Sequence, residues 1–317
     1  MSRPEPRAAA PVTAPPTAYL PAAGTGAAGV GGPFGWLRRP KRATRRGKAF
    51  FVFGVVWISL LVLAALFADV IPGLPHFSEK IGTFAQGPDF SSLGGLLGTD
   101  SVGRSNLSRI IFGARTSLTI AVASTLIGLF IGVVLGMLAG YYRGFWDGLG
   151  TIVANALSAL PPLIMLLALV AAVGASLWGI TVSLGILIAD LYIRVTKGAV
   201  LSNAQREYVL AARSLGATDA RILFREILPN LIPTLAAVIP ISMAVLVVVE
   251  GSLSFLGYGI PAPNPSWGGM IAAGADVIRR FPGVMVAPVV TLFLTVFSFN
   301  AIGDYLGSRT DRRDAQI

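Results

Sequence analysis

Long uncharged runs leave this sequence few possible folds. There are 20 uncharged residues between Lys48 and Asp69, 27 between Arg115 and Arg143, and 42 between Asp147 and Asp190. The intervals from Glu226 to Glu250 and from Arg280 to Asp304 enclose 23 each. A helix needs roughly 20 apolar residues to cross a bilayer core of ~30 Å. Inside that core every backbone polar group must find its partner within the protein. The longest run is sufficient for two spans, so the pattern predicts an all-α membrane protein with six transmembrane helices. Only 13% of residues are charged, against about 25% in soluble domains.

The formal net charge of +10 raises the possibility of a nucleic-acid partner, but its distribution points elsewhere. With the N-terminus inside, nineteen of the 25 Lys and Arg fall on the cytoplasmic side. The six on the other side are Lys80, Arg104, Arg109, Arg115, Arg279 and Arg280. Such asymmetry sets membrane orientation and places both termini in the cytoplasm. The chain has no cysteine and one histidine, His76, in a loop beside Pro75. No catalytic constellation and no metal-ligand set can be assembled from these, so the chain is not expected to be an enzyme in its own right.

Residues 1–33 form a Pro/Ala/Gly/Thr tract that cannot bury enough apolar surface to fold. With the basic block that meets the first span, the sequence divides into a disordered tail over 1–47 and a transmembrane domain over 48–317. The run starts too far from Met1, and is too long, for a cleaved signal peptide. The basic block is expected to lie against anionic lipid headgroups. Beyond the first span, the stretch LGTDSVGRSNLSRIIFGARTSL suggests Thr99 or Asp100 as the N-cap of a short helix at the membrane surface. Gly128, Gly132, Gly136 and Gly140 lie four apart on nearly one face of the second span, a surface that another helix can approach closely. That helix could belong to this chain or to another subunit. Pro161 and Pro162 open or kink the third span, and Pro233, Pro240 and Pro288 interrupt the fifth and sixth. Asp190 and Arg194 share a helix face, where they can pair, and Glu250 closes the outer end of span five.

Between spans four and five stands EYVLAARSLGATDARILFREILPN, residues 207–230. Val209, Ala212 and Leu215 recur at helical spacing, with Arg206 and Arg213 set off from that stripe. Gly216 can adopt a positive φ and end one helix, and Thr218 or Asp219 can cap the next. Pro229 and Pro233 mark entry into span five. The result is a cytoplasmic hairpin with small residues at Ala211 and Ala212, suited to docking another protein.

This segment resembles the "EAA" loop of bacterial ABC importer permeases. Ala211, Ala212, Gly216, Leu228 and Pro229 match its pattern, while Leu210 stands at the acidic position and Glu207 lies three residues earlier. Three further segments resemble the second, C-type permease of dipeptide, oligopeptide and nickel importers. The first is LGTDSVGRSNLSRIIFGARTSL, with Ser105 where an Asp usually follows Gly-Arg. The second is EGSLSFLGYGIPAPNPSWGGM, through residues 254–257, Pro263, Pro265, Ser266 and Trp267. The third is FNAIGDYLGSRTDRR, with Gly307 and Ser308 in place of the usual Arg-Asp. The resemblance extends over about residues 48–313, with the segments in order and compatibly spaced.

The resemblance implies a multi-pass permease subunit in a bacterial inner membrane, working as half of a translocation pathway. Its expected partners are a homologous permease in a heterodimer, two ABC ATPase subunits or one fused ATPase, and an extracytoplasmic substrate-binding protein. No cofactor is expected in this chain, which has no phosphate-binding loop; ATP and Mg would be bound by the ATPase subunits. Coupling to them is expected through Glu207, Ala211, Ala212, Gly216, Ala217, Asp219 and Arg221. Tyr258, Pro263 and Trp267 are candidates to meet the binding protein. Among the substrates of that branch (dipeptides, longer peptides, nickel, haem), peptides are expected. A stand-alone channel or secondary transporter for a small solute is the alternative, as is a membrane scaffold without transport. Ion-coupled transport would call for more buried acids than Asp190 and Glu250.

Overall fold

The computed structural model describes residues 45–314. The Pro/Ala/Gly tract and the basic block as far as Thr44 lie outside the described residues, so the disordered tail expected there is not addressed by the structure. The elements in chain order are α1 (Arg45–Leu66), α2 (Asn106–Tyr142), α3 (Gly144–Ser158), α4 (Pro162–Val173), α5 (Leu177–Asn203), α6 (Glu207–Ser214), α7 (Asp219–Arg221), α8 (Leu228–Phe255), α9 (Trp267–Ala275) and α10 (Gly283–Asp314). Among the described residues there are isolated β-bridges but no strand.

Five helices are long and apolar enough to cross a membrane, and a sixth span exists only as the bent pair of α3 and α4. These two meet at 94° across residues 159–161. Proline chemistry explains the break: Pro161 and Pro162 have no N–H to continue the ladder of α3, and Pro161 is extended at φ −52, ψ 131. Pro162 then opens α4, where a missing donor costs nothing. The other prolines behave differently. Pro233, Pro240 and Pro288 lie inside α8 and α10 without ending them. A π-helical turn, Ile222–Ile227, joins α7 to α8, so residues 219–255 form one continuous helix.

The short surface helix expected after residue 100 is not a separate element. Ser105, not Thr99 or Asp100, is the N-cap, its side chain accepting from the Ser108 N–H, and α2 then runs unbroken for 37 residues. Asp100 is occupied elsewhere: it accepts from the Val102 and Arg104 backbone N–H groups and pairs with Arg104 at 2.8 Å. At 1.5 Å per residue α2 is ~55 Å long, well beyond a bilayer core, so its ends project.

The glycine stripe finds its partner within the chain. A Cβ placed on Gly128 would stand 2.3 Å from an Ile188 methyl, and one on Gly132 2.1 Å from Tyr192 Cβ. At Gly136 it would lie 2.6 Å from Thr196 Cβ, and at Gly140 2.8 Å from Val200 Cβ. Contacts advance in step along both helices, so α2 and α5 are parallel neighbours with almost no side-chain layer between them. The α3–α4 excursion returns the chain to the starting face, which is what makes two successive long spans parallel.

Helices α1 and α10 are antiparallel: Phe51 stacks on Tyr305 at 4.2 Å and the Trp57 indole donates to Thr295 Oγ1 at 3.2 Å. The start of α1 and the end of α10 therefore share one face. Arg115, one turn into the apolar part of α2, donates to the carbonyls of Ala65 and Leu66 and pairs with Asp69 at 2.7 Å. It caps the C-terminal end of α1, where freed carbonyls favour a cation.

Asp190 and Arg194 do not pair with each other. Ser158 Oγ donates to Asp190 at 2.6 Å, while Arg194 donates to Asn155 Oδ1 at 3.1 Å and to Ser158 Oγ at 3.3 Å. Partners on α3 are within reach of both side chains, which leaves no reason for an intrahelical pair.

Replacing Gly132 with Val should force α2 and α5 apart, at a cost of about 1–3 kcal/mol or more for an overpacked contact. Gly198 on α5 has open space around it. Gly198→Ala should therefore leave thermal stability unchanged or slightly higher, while Gly132→Val lowers the unfolding midpoint of the detergent-purified chain by several degrees. Equal midpoints for the two variants would contradict the close seam.

Candidate functional site

On the face shared by the start of α1 and the end of α10, residues 204–227 fold back on the ends of α2 and α5. Helix α6 starts at Glu207, whose carboxylate lies in the first turn, and has Arg213 in the last, both placed as the helix dipole favours. Its end is a paired backbone lock: Gly216 N–H donates to Arg213 O at 3.0 Å and Ala217 N–H to Ala212 O at 3.1 Å. This two-bond closure requires a left-handed residue, and Gly216 supplies it at φ +79. Thr218, not Asp219, caps the next helix, its hydroxyl accepting from the Arg221 N–H.

The inner side of the hairpin is fixed to the membrane body. Val209, Ile222, Leu223 and Ile227 are buried in one cluster with Met137, Tyr192, Val200, Leu231 and Leu235, and Ala212 and Ala217 pack against it. Tyr141, in the last turn of α2, donates to Asp219 Oδ1 at 2.7 Å and accepts from Arg213 at 3.2 Å, with the guanidinium 5.7 Å from its ring centroid. That hydroxyl holds the Arg213 guanidinium above its ordinary pKa. Tyr208 donates to Asn203 Oδ1 at 2.9 Å. Burial pushes its hydroxyl up, so it stays a neutral strut between α5 and α6.

The outer side is open. Glu207, Ala211, Gly216, Asp219 and Arg221 are exposed, whereas Ala212 and Ala217 are partly buried against the body. Leu215, expected to continue the inward stripe of Val209 and Ala212, is 88% exposed. It occupies the C-cap, where the chain leaves helical geometry and the stripe no longer projects inward. Leu210 and Phe224, the latter 65% exposed, add to an apolar surface set among Arg213, Arg221 and Arg225. A cleft of about 470 Å³ opens beside it, lined by Tyr141, Arg143, Gln205, Leu210 and Arg213 among others. Sequence reasoning missed Tyr141, whose only signal is its place one residue past the glycine stripe.

On the opposite face, the loop after α8 divides the three residues expected to meet a binding protein. Tyr258 and Pro263 are exposed, but Trp267 is fully buried. Its backbone N–H donates to Ser117 Oγ at 3.2 Å and its indole N–H to the Ile110 carbonyl at 3.1 Å. Trp267 is therefore an anchor of the loop on α2 and not a surface contact, because an indole with its donor satisfied inside the core has nothing left to present. Ser266 caps α9 and donates to the buried carboxylate of Glu250 at 2.9 Å, which also accepts from Ser254 at 2.9 Å. Glu250 thus ties α8 to the loop. Among the described residues no group of three His, Asp or Glu is placed to hold a metal ion.

Likenesses to known proteins bear on what such an arrangement is for. Residues 132–312 match the family described as binding-protein-dependent transport system inner membrane component. The di/tripeptide transport system permease protein DppC of Pseudomonas aeruginosa (strain UCBPP-PA14) is 36% identical over 263 residues, covering 81% of this chain and 86% of that protein. The glutathione transport system permease protein GsiD of Pectobacterium atrosepticum is 34% identical over 256 residues, covering 81% and 84%. Among solved structures, an inward-facing form of the MetNI methionine ABC transporter superposes with a TM-score of 0.51 at 20% identity, over 62% of this chain and 96% of that one. At that identity the likeness is one of fold.

Trp267→Ala should remove buried indole contacts and both anchoring bonds at a cost of about 3–5 kcal/mol. It should be recovered from membranes in much lower yield than the parent chain. Tyr258→Ala, at an exposed position, should be recovered normally; equal recovery of the two would mean that Trp267 does not anchor the loop.

Proposed function

Because the chain belongs to the family of binding-protein-dependent transport system inner membrane components, we propose that it forms half of the pathway of an ATP-driven importer for peptides. Its hairpin, residues 207–227, is the contact with the ATPase subunits. The chain supplies no phosphate-binding loop of its own, so ATP and Mg are bound by those subunits, two in number or fused as one. A homologous permease completes the pathway, and a substrate-binding protein delivers the solute to the face of Tyr258 and Pro263. The termini and the hairpin then lie in the cytoplasm, as the asymmetry of Lys and Arg favours.

One observation carries this reading. The hairpin is locked on its inner side by a buried cluster and on its outer side shows an apolar surface, headed by Leu215, among arginines. Such a surface on a rigid mount is suited to receiving a push and passing it on. Tyr141 and the cluster around Val209 connect it to α2, α5 and α8, so force applied at Leu215 turns helices as bodies and does not bend the loop. Peptide-like solutes are favoured by the relatives, whose names give di/tripeptides and glutathione.

Two variants test the coupling. Gly216→Trp puts a bulky side chain on a left-handed residue and distorts the bend. Leu215→Asp leaves the bend intact and charges the exposed tip. In the complex reconstituted with its ATPase and binding protein, both should reach the membrane in normal amount. Both should lower ATP-driven dialanine uptake at least ten-fold while ATP hydrolysis continues. Normal uptake by Leu215→Asp would contradict docking at this surface.

A further inference from the structure

The seam between α3 and α5 places charge where a bilayer tolerates it least. Asp190 is the middle residue of the 27-residue α5, so it lies near mid-membrane. Ser158 binds both Asp190 and Arg194, and Asn155 binds Arg194 as well. Asn155, Ser158 and Arg194 are exposed in this chain, and Asp190 is partly so. Three features separate the cluster from an ordinary helix-helix contact.

First, the backbone is broken at the same depth. Ser158 is the last residue of α3, and the carbonyls of Leu157 and Ser158 lack their usual donors because the positions four residues on are Pro161 and Pro162. Residues 158–163 are all exposed. Irregular backbone facing lipid at membrane depth is not tolerated; it survives where protein covers it or where it lines water. Second, the polar groups do not stop at the midplane. Towards the hairpin face Lys197 forms an ion pair with Asp147, one turn after another along the same two helices. Third, the face is unlike the apolar surfaces this chain shows elsewhere. The lipid-suited stripe on α2 runs through Val122, Leu126, Phe130 and Val134. A permanent subunit contact favours an apolar centre depleted of charge, which a half-buried Asp190 and an exposed Arg194 do not offer.

We infer that Asn155, Ser158, Asp190 and Arg194, with the carbonyls freed at the α3 break, line the water-filled half of the pathway on the hairpin side and give passing contact to a zwitterionic peptide. Asp190 meets the ammonium end and Arg194 the carboxylate end. The two already share one hydroxyl, Ser158 Oγ, so an arriving solute exchanges bonds with them and finds no bare charge to desolvate. Contacts held through a small hydroxyl are weak enough to release the solute. This assignment rests on the importer reading above.

The absence of cysteine from the chain makes the test direct. Asn155→Cys and, separately, Ser158→Cys are placed in the reconstituted complex and treated with the membrane-impermeant cation MTSET. The control is Phe130→Cys. Phe130 is 72% exposed and level with Asp190, because Gly128 and Gly132 pack against Ile188 and Tyr192. At least one of the two pathway thiols should react ten-fold or more faster than the control. Excess dialanine with ATP and binding protein should slow that reaction several-fold. Failure of both thiols to react faster than the control would overturn the pathway assignment and indicate a face covered by the second permease or by lipid. Fast reaction without protection by dialanine would overturn the solute contact. Labelling rates measured without dialanine do not depend on transport. A wild-type complex that takes up no dialanine would therefore count against the peptide-importer reading, and with it the solute contact, while the pathway assignment would still stand or fall on the thiol rates.

Discussion

The close parallel contact of α2 with α5 is what the rest of the molecule is assembled around. It depends on a missing atom: at Gly132 any Cβ would stand 2.1 Å from that of Tyr192. With the backbones so near, Tyr192 is wholly buried and its hydroxyl meets Ser242 Oγ on α8 at 2.6 Å. Three of the long helices are thereby fixed to one another near mid-membrane. Lipid tails are as apolar as the side chains, so burial gives little drive for helices to associate there. Close packing and interhelical hydrogen bonds supply it instead. The seam also fixes the hairpin, because its lower end at Gly140 and Val200 borders the cluster that seats Val209 and Ile222.

The two faces are built on opposite plans. On the hairpin face, a locked inner side supports an exposed outer one, and the free apolar groups Leu215 and Phe224 stand beside arginines. On the other face the loop is drawn inward. Trp267 is sunk into the core, and Glu250 accepts from Ser266 and Ser254. Buried polar groups of this kind are costly unless bonded, so the loop is held as part of the helix body. One face thus leaves an apolar tip exposed, and the other is tied to the helices beneath it.

Much of this was legible in the sequence, and the misses share a cause. Uncharged run length gives the spans, and the chemistry of Gly216 and Thr218 gives the bend, because each is a local property of backbone and side chain. The glycine spacing announces a close contact but not its owner, since α5 carries no comparable stripe to match it. The surface helix expected near Asp100 is absent because Ser105 was the better-placed cap and Asp100 had Arg104 to hold. The helical period that points Leu215 inward stops at the C-cap, so the side chain faces out. Trp267 stands in an apparent loop of the sequence, and nothing nearby in sequence reveals that Ser117 and Ile110 accept from its two donors.

The sequence by itself determined that the chain spans a membrane as helices, that the third span breaks at Pro161 and Pro162, and which segment is too charged to enter; the interruptions expected at Pro233, Pro240 and Pro288 do not occur. Those outcomes follow from transfer energies and backbone chemistry that act within a few residues. Tertiary structure decided what lies across from what: that the glycine face closes on α5, that Asp190 and Arg194 meet α3 and not each other, and which side of the hairpin is free. A side chain takes the partner that comes within hydrogen-bond reach, and in a bundle of long helices that partner comes from residues far away in the sequence.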